Sequence, residues 1–196
     1  MNKKELVGLI LCGGHSNRMG TDKGLILFQG DPWVNHRIRT LKSYTNRCLI
    51  SIRKEQIASY KAVVPDLELV EDIYQNVGPV SGILSAHNRF PKADFLVLAC
   101  DMPVSDSSIF SELLTAYLCK PGKRSYAWKS ERHIEPFPSI YTAELLSEVS
   151  FNINRFDSQK SPKRILEESD GHWLNVRSDT KNAFLNYNTL SDLQLG

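Results

Sequence analysis

The chain has 196 residues, of which 41% are hydrophobic, a size and composition that suit one large α/β domain around a single core. Lys and Arg total 24 against 22 Asp and Glu, and this balance excludes the broad positive surface of a nucleic-acid-binding protein. No segment approaches the roughly 20 apolar residues that a membrane helix needs, so we expect residues 1–196 to form one domain that binds neither nucleic acid nor membrane.

Four cysteines are far apart in the sequence and form no Cys-x-x-Cys pair. They lie in or beside apolar segments: Cys12, Cys48, Cys100 and Cys119. This distribution favours reduced, buried thiols over disulfides or a zinc site. Since the amino terminus also lacks the small-residue cleavage site of a secretory peptide, we expect a cytoplasmic protein.

The first half of the chain predicts strands alternating with helices. Residues 6–11 (LVGLIL) are a short, fully apolar segment that two glycines end, which is typical of a central strand covered on both faces. Apolar residues at helical spacing follow in residues 32–44, with a proline in the first turn. Residues 48–52 (CLISI) then predict a second strand.

The alternation continues through the middle of the chain. It predicts strands at 67–70 and 95–99 and helices at 79–90 and 107–118. Alternating elements indicate a Rossmann-like α/β fold, in which helices cover both faces of a mostly parallel central sheet. After residue 120 the pattern weakens. There it predicts strands near 126–128, 138–141 and 173–176 and helices at 143–149, 162–168 and 191–195.

A glycine-rich loop follows the first strand directly. Residues 13–24 contain four glycines together with Arg18 and Lys23. Ligands of open α/β sheets bind outside the carboxyl ends of the strands, glycines let backbone N–H groups approach phosphate, and the two cations add charge-assisted contacts. The loop therefore predicts a triphosphate site, although its spacing matches neither a P-loop nor a dinucleotide fingerprint. The alternative is a polar turn whose glycines only relieve backbone strain.

An aspartate follows the apolar strand predicted at 95–99. The sequence continues as Cys100-Asp101-Met102-Pro103, which places Asp101 at the same edge of the sheet as the glycine-rich loop. A carboxylate oxygen there can hold Mg²⁺ against the phosphates. Alternatively, Asp101 caps the next element or begins a turn.

These motifs resemble a known family. The segment LILCGGHSNRMGTDKGLILFQGDPW is similar to the signature Leu-Ala-Gly-Gly-x-Ser-x-Arg-Met-Gly-x-Asp-Lys of the nucleotidyltransferases that attach a nucleotide to molybdopterin. The second glycine and the Asp-Lys pair resemble the molybdenum cofactor guanylyltransferases more than the cytidylyltransferases. Cys12 stands where the family usually has alanine, a small residue for a small one.

The resemblance implies a set of functional residues around the nucleotide. Arg18, Lys23 and Asp101 would be catalytic, and Asp101 would bind Mg²⁺. The nucleotide-binding residues would be Leu11, Cys12, Gly13, Gly14, Lys23, Ser51, Asp72 and Asp101.

Asp72 and Ser51 bear on the choice of base. In the family, an aspartate at the position of Asp72 contacts the nucleotide, and a carboxylate can accept both N1–H and the 2-amino group of guanine. Without the resemblance, Asp72 would be interpreted as a helix or turn cap. Ser51 stands where the guanylyltransferases often have asparagine, and this difference leaves CTP as an alternative nucleotide.

Further motifs point to the acceptor. Gly78-Pro79-Val80-Ser81-Gly82 resembles the family's Gly-Pro-Leu-Ala-Gly, and residues 186–193 match its Asn-x-Asn-Thr-x-x-Asp/Glu-Leu. Taken alone, these segments would be an ordinary helix start and a turn-forming cluster of asparagines. The acceptor-binding residues implied by the resemblance are Gly78, Gly82, Arg164 (or its neighbour Lys163), Asn186 and Asn188.

The expected reaction is transfer of GMP from Mg²⁺·GTP to the phosphate of molybdopterin or its molybdenum form, with release of pyrophosphate. Proteins of molybdoenzyme maturation are further candidate partners. The acceptor phosphate is already an anionic nucleophile, so positioning and charge neutralisation suffice. The alternatives are a cytidylyl- or sugar-1-phosphate nucleotidylyltransferase and, in another class, a non-catalytic protein that binds and delivers a nucleotide or cofactor.

Overall fold

The computed structural model describes residues 4–13, 22–102, 107–153 and 161–184. The strands within these ranges are β1 (Leu6–Leu11), β2 (Leu27–Phe28), β3 (Asp31–Pro32), β4 (Arg47–Ile52), β5 (Glu68–Glu71), β6 (Asp94–Ala99), β7 (Ser125–Lys129), β8 (Ile134–Tyr141) and β9 (Gly171–Asn175). The helices are α1 (Trp33–Lys42), α2 (Ile57–Val63), α3 (Val80–Arg89), α4 (Ser107–Cys119), α5 (Ala143–Asn152) and α6 (Pro162–Glu168).

Seven of the strands form one sheet in the order β5-β4-β1-β6-β8-β7-β9, and β2 and β3 form a separate hairpin. The pairs β5/β4, β4/β1, β1/β6 and β7/β9 are parallel. Strand β8 is antiparallel to both of its neighbours, β6 and β7. The mostly parallel α/β sheet predicted from the sequence is confirmed.

Side chains that alternate along each strand build a core on both faces of the sheet. In β1, Ile10 packs with residues of α1, α2 and α4, whereas Val7 and Leu9 pack with residues of α3, α5 and α6. Strand β6 alternates in the same way, because Leu98 lies in the first cluster and Val97 in the second. The two layers of helices hold the carboxyl ends of β1 and β6 side by side.

Some elements differ from the sequence prediction. Helix α2 and the β2/β3 hairpin were not predicted, since α2 spans two turns at most and the hairpin strands have two residues each. The other strands and helices agree with the predicted ones, with shifted ends, and the predicted helix at 191–195 lies outside the described residues.

All four cysteines are free thiols, and three are buried as expected. Cys119 is exposed at the end of α4, which corrects the expectation that all four would be buried, because the last turn of this helix extends beyond the core. Across the described ranges, every helix is too short or too polar to cross a membrane.

Candidate active site

The carboxyl ends of β1, β4, β5 and β6 meet at one edge of the sheet, and backbone hydrogen bonds continue past the strands. The Cys12 N–H donates to the Ser51 carbonyl over 2.9 Å, and the Asp72 N–H donates to the Ile52 carbonyl over 2.9 Å. On the other side of β1, the Cys100 N–H donates to the Leu11 carbonyl over 3.1 Å. The residues that follow each strand are therefore fixed relative to one another.

A cavity of about 990 Å³ lies at this edge, a volume at the upper end of the usual range for small-molecule sites. Most of the predicted site residues that the structure describes line it. These are Leu11, Cys12, Gly13, Lys23, Ser51, Asp72, Gly78 and Asp101. The polar groups expected to handle the nucleotide thus face one space.

Lys23 and Asp101 meet within this cavity. The ammonium Nζ of Lys23 lies 3.0 Å from Oδ2 of Asp101, although the two residues are 78 positions apart in the chain. Their side chains keep 21% and 26% of their surface exposed, so both charges are partly desolvated and both remain accessible to a ligand. Lys23, on the amino-terminal side of the sheet sequence, and Asp101, just after β6, therefore meet at one point of the cavity.

A buried polar network holds the start of the loop segment that carries Lys23. Asp22 caps the 3-10 helix Lys23–Leu25, since its Oδ1 accepts from the Gly24 N–H over 3.1 Å and from the Tyr60 hydroxyl over 2.7 Å. The Gln56 amide donates to the other oxygen of Asp22 and, over 3.1 Å, to the Cys12 carbonyl. Through Gln56, the network connects Asp22, the neighbour of Lys23, to Cys12 just after β1.

The Tyr60 hydroxyl is the deepest member of this network. Its side chain is fully buried, and burial raises the pKa of the phenol far above its ordinary value. Burial likewise raises the pKa of the adjacent Cys12 thiol, and a hydrogen bond with Cys100 raises it further. Tyr60 therefore stays protonated and donates to Asp22 at every physiological pH.

Asp72 lies on the β5 side of the cavity. The hydroxyl of Ser51, itself buried, donates to Oδ1 of Asp72. Burial raises the pKa of Asp72; the Ser51 hydrogen bond and the charge of Arg53 lower it without cancelling the rise. A side chain on Gly13 would collide with the other carboxylate oxygen of Asp72, so any larger residue there would displace this carboxylate. Ser51 thus positions the carboxylate.

The predicted acceptor residues that the structure describes differ in their position relative to the cavity. Gly78 has a positive φ of 56° and lines the cavity. Gly82 is packed within α3, where a Cβ would meet Ser51 and Leu11, so it lets the helix approach the sheet closely. Arg164 is an exposed residue of α6 that contacts Glu168 over 2.7 Å and does not line the cavity. The predicted residues Gly14, Arg18, Asn186 and Asn188 lie outside the described residues.

Several residues at the site were not identified from the sequence. Asp22 belongs to the Asp-Lys pair of the motif, but its capping role depends on Gln56 and Tyr60, which lie in or next to the unpredicted helix α2. The spacing of Ile57, Tyr60 and Val64 was the available evidence for that helix. The β8 residues that line the cavity were also missed, since no motif marks them.

Comparison with known proteins identifies the family. The model of the MobA-like NTP transferase domain matches residues 8–173. The chain belongs to the MobA-like NTP transferase family. It is 32% identical to a "Probable molybdenum cofactor guanylyltransferase" of Flavobacterium johnsoniae, over 93% of this chain and 97% of that protein. It is 28% identical to the "Molybdenum cofactor guanylyltransferase" of Pasteurella multocida, over 95% of this chain and 96% of that protein.

The fold of this MobA-like chain also matches solved structures. A molybdopterin-guanine dinucleotide biosynthesis protein A from Archaeoglobus fulgidus superposes with a TM-score of 0.76, at 22% identity, over 96% of this chain and 95% of that one. At this identity the likeness concerns the fold alone. Together with the family model, it confirms the resemblance inferred from the glycine-rich loop, and the protein is a nucleotidyltransferase.

Proposed function

We propose that this MobA-like protein transfers GMP from GTP to the phosphate of molybdopterin, with or without bound molybdenum, and releases pyrophosphate. Its relatives named molybdenum cofactor guanylyltransferase align with nearly the whole chain, which supports this reaction. We further propose that it acts in the cytoplasm and passes its product to proteins of molybdoenzyme maturation.

The contact between Lys23 and Asp101 is the observation that carries the proposal. A phosphate and a divalent cation can replace this single ion pair with two new ones, phosphate on Lys23 and metal on Asp101. Cations at the phosphates stabilise the charge that develops during nucleotidyl transfer. Lys23 and Asp101 are therefore assigned to the catalytic centre, together with Arg18 of the motif.

The donor set at Asp101 fits Mg²⁺ bound jointly with a nucleotide. Mg²⁺ usually takes one or two carboxylates and completes its coordination with phosphates and water. Within the described ranges, no three His, Cys, Asp or Glu side chains cluster to form a metal site made by protein alone. Asp101 would hold the ion, and the ion would supply positive charge to the phosphates of the nucleotide.

Asp72 is the residue that favours guanine. A carboxylate beside the base accepts two hydrogen bonds from the N1–H and 2-amino edge of guanine, and cytosine and adenine lack that pair of donors. Leaving a buried acceptor unpaired costs about 1–3 kcal/mol, which is roughly tenfold or more in selectivity. The Ser51 hydroxyl holds Asp72 in place from the side of β4.

The acceptor needs no separate general base. A phosphate monoester is an anion at neutral pH, and attack on the α-phosphate of GTP requires alignment and charge neutralisation. The polar groups of the cavity supply both functions: Lys23 orients phosphate, and Gly13 lets the backbone approach it.

A competition assay tests the proposal. The protein is supplied with equal concentrations of GTP, CTP and ATP and Mg²⁺, with molybdopterin or a sugar 1-phosphate as acceptor, and pyrophosphate and products are measured. We expect molybdopterin guanine dinucleotide as the main product and no release of pyrophosphate without molybdopterin. Preferential use of CTP, turnover with the sugar phosphate alone, or binding without turnover would each refute GMP transfer to molybdopterin.

A further inference from the structure

The first residues of strand β8 lie at the active-site edge of the sheet. It runs antiparallel to β6, with Phe95 opposite Tyr141 and Val97 opposite Ser139. The first residues of β8 therefore lie beside the end of β6, where Asp101 follows. Glu135 and Phe137 line the same cavity as Asp101, on the side opposite to Asp72. The cavity thus has a second wall, which the nucleotide residues do not occupy.

Glu135 brings an incompletely paired carboxylate to this wall. Its side chain is only 16% exposed, and His133 Nε2 lies 3.2 Å from Oε1. Within the described chain, Oε2 of Glu135 has no hydrogen-bond partner. Because Glu135 lines the cavity, this oxygen can accept a hydrogen bond from a ligand with an N–H group.

Aromatic side chains line the same cavity as this carboxylate. Phe137 and Phe184 both line the cavity. Trp128 stands directly opposite Glu135 in the β7/β8 pair, and its ring lies 5.8 Å from that of Phe184. The Trp128 indole N–H is buried and, among the described residues, donates to no acceptor. The wall therefore combines flat apolar surface with a carboxylate acceptor.

We propose that Glu135, Phe137 and Phe184 bind the heterocycle of the acceptor, a pterin. The inference rests on the proposed function, which makes molybdopterin the acceptor. A pterin presents a ring N–H next to an amino group, and a carboxylate can accept from both. The phenyl rings offer surface for the flat heterocycle.

The charges of Glu135 and Lys23 determine the orientation of such an acceptor in the cavity. Phosphate is repelled by the Glu135 carboxylate and attracted by Lys23, which lines the same cavity. A pterin held at Glu135 therefore extends its phosphate towards the nucleotide. Asp72 on β5 and Glu135 on β8 recognise similar N–H edges, one on the base of the donor and one on the pterin of the acceptor.

Replacing Glu135 tests the inference. E135Q keeps the shape of the side chain but directs an amide N–H₂ at a ligand donor, and F137L removes the ring. We expect each variant to raise the KM for molybdopterin on the order of tenfold, with the KM for GTP changed less than twofold. E131Q is the matched control, because Glu131 is exposed on the turn before β8, and it should behave as the wild type.

A binding measurement separates this inference from the proposed function. Fluorescence quenching of pterin-6-carboxylate, titrated with wild type and E135Q, reports pterin binding without turnover, and we expect affinity to fall about tenfold in the variant. Equal affinity, or a rise of both KM values together, would overturn the role of Glu135 even if the wild type makes the dinucleotide. A wild type that binds pterin in this manner but transfers no GMP would instead refute the proposed function alone.

Discussion

The two halves of the sheet present their functional residues differently. In the half formed by β5, β4, β1 and β6, all strands are parallel, and Asp72, Ser51, Gly13 and Asp101 lie at or just beyond their carboxyl ends. In the half formed by β8, β7 and β9, β8 is antiparallel to β6, and Glu135 lies near its beginning.

This difference determines which functional residues can be identified from the sequence. The rule that ligands bind outside the carboxyl ends of strands locates residues in the parallel half, because each strand leads directly into the site. For β8 the same rule indicates the carboxyl end, whereas the amino end of this strand lies at the site. We therefore assign nucleotide handling to the parallel half and acceptor recognition to β8, and variants in the two halves should have separable effects.

The largest expected effect comes from Asp101. D101A should lower kcat by a factor on the order of 10³, because the variant loses the carboxylate that would hold the metal at the phosphates. Steady-state pyrophosphate release at saturating GTP and Mg²⁺ measures this change, and circular dichroism checks the fold. D66A is the control, since Asp66 is exposed and away from the cavity. Activity within threefold of the wild type would exclude a metal role for Asp101.

The next largest effect is expected from replacing Asp72, and it should concern only recognition of the nucleotide base. D72N replaces one acceptor oxygen with a donor, so we expect the KM for GTP to rise about tenfold or more and the preference for GTP over CTP to shrink. The KM for molybdopterin should stay constant, in contrast to E135Q. Measuring the KM for GTP and the KM for molybdopterin in the same variant tests this role. An unchanged preference for GTP over CTP would show that the base binds away from Asp72.

A smaller effect is expected at Tyr60, which positions Lys23 through Asp22. Y60F removes the buried hydroxyl and leaves Asp22 one hydrogen bond short, so the free energy of unfolding should fall by about 1–3 kcal/mol. Urea denaturation measures this loss. Y44F is the matched control, because Tyr44 donates to the Ser107 carbonyl on the outside of the domain and should lose less. Equal losses in the two variants would contradict a special role for the Asp22 network.

The smallest effect concerns stability and pH. Burial raises the pKa of Asp72 in the folded state, so its ionisation costs stability as pH rises above about 4, the ordinary value for aspartate. Without ligand, D72N should therefore gain stability relative to the wild type between about pH 4 and pH 7. Thermal melting across this range checks the sign, and a stability difference that shrinks with rising pH would contradict a raised pKa.

Much of the fold could be predicted from the sequence because buried parallel strands are continuous apolar segments. Strands β1, β4 and β6 are such segments, and Lys23 and Asp101 were predicted from the residues that follow β1 and β6. Asp72, which follows β5, was predicted from the resemblance to the family. Helix α2 was missed because it has only seven residues, so the spacing of Ile57, Tyr60 and Val64 is too short a pattern to stand out. Glu135 was missed since one acidic residue inside a strand looks like any exposed position. Its location depends on the direction of β8, which the apolar pattern does not specify.

The central claim is that Lys23 and Asp101 hold the polyphosphate and its divalent ion between them. Crystals grown with a non-hydrolysable GTP analogue and Mn²⁺ in place of Mg²⁺ test it, since the anomalous signal locates the metal. We predict one strong peak bonded to the Asp101 carboxylate and a phosphate oxygen of the analogue in contact with Lys23 Nζ. A metal peak and phosphates bound away from both residues would contradict the claim.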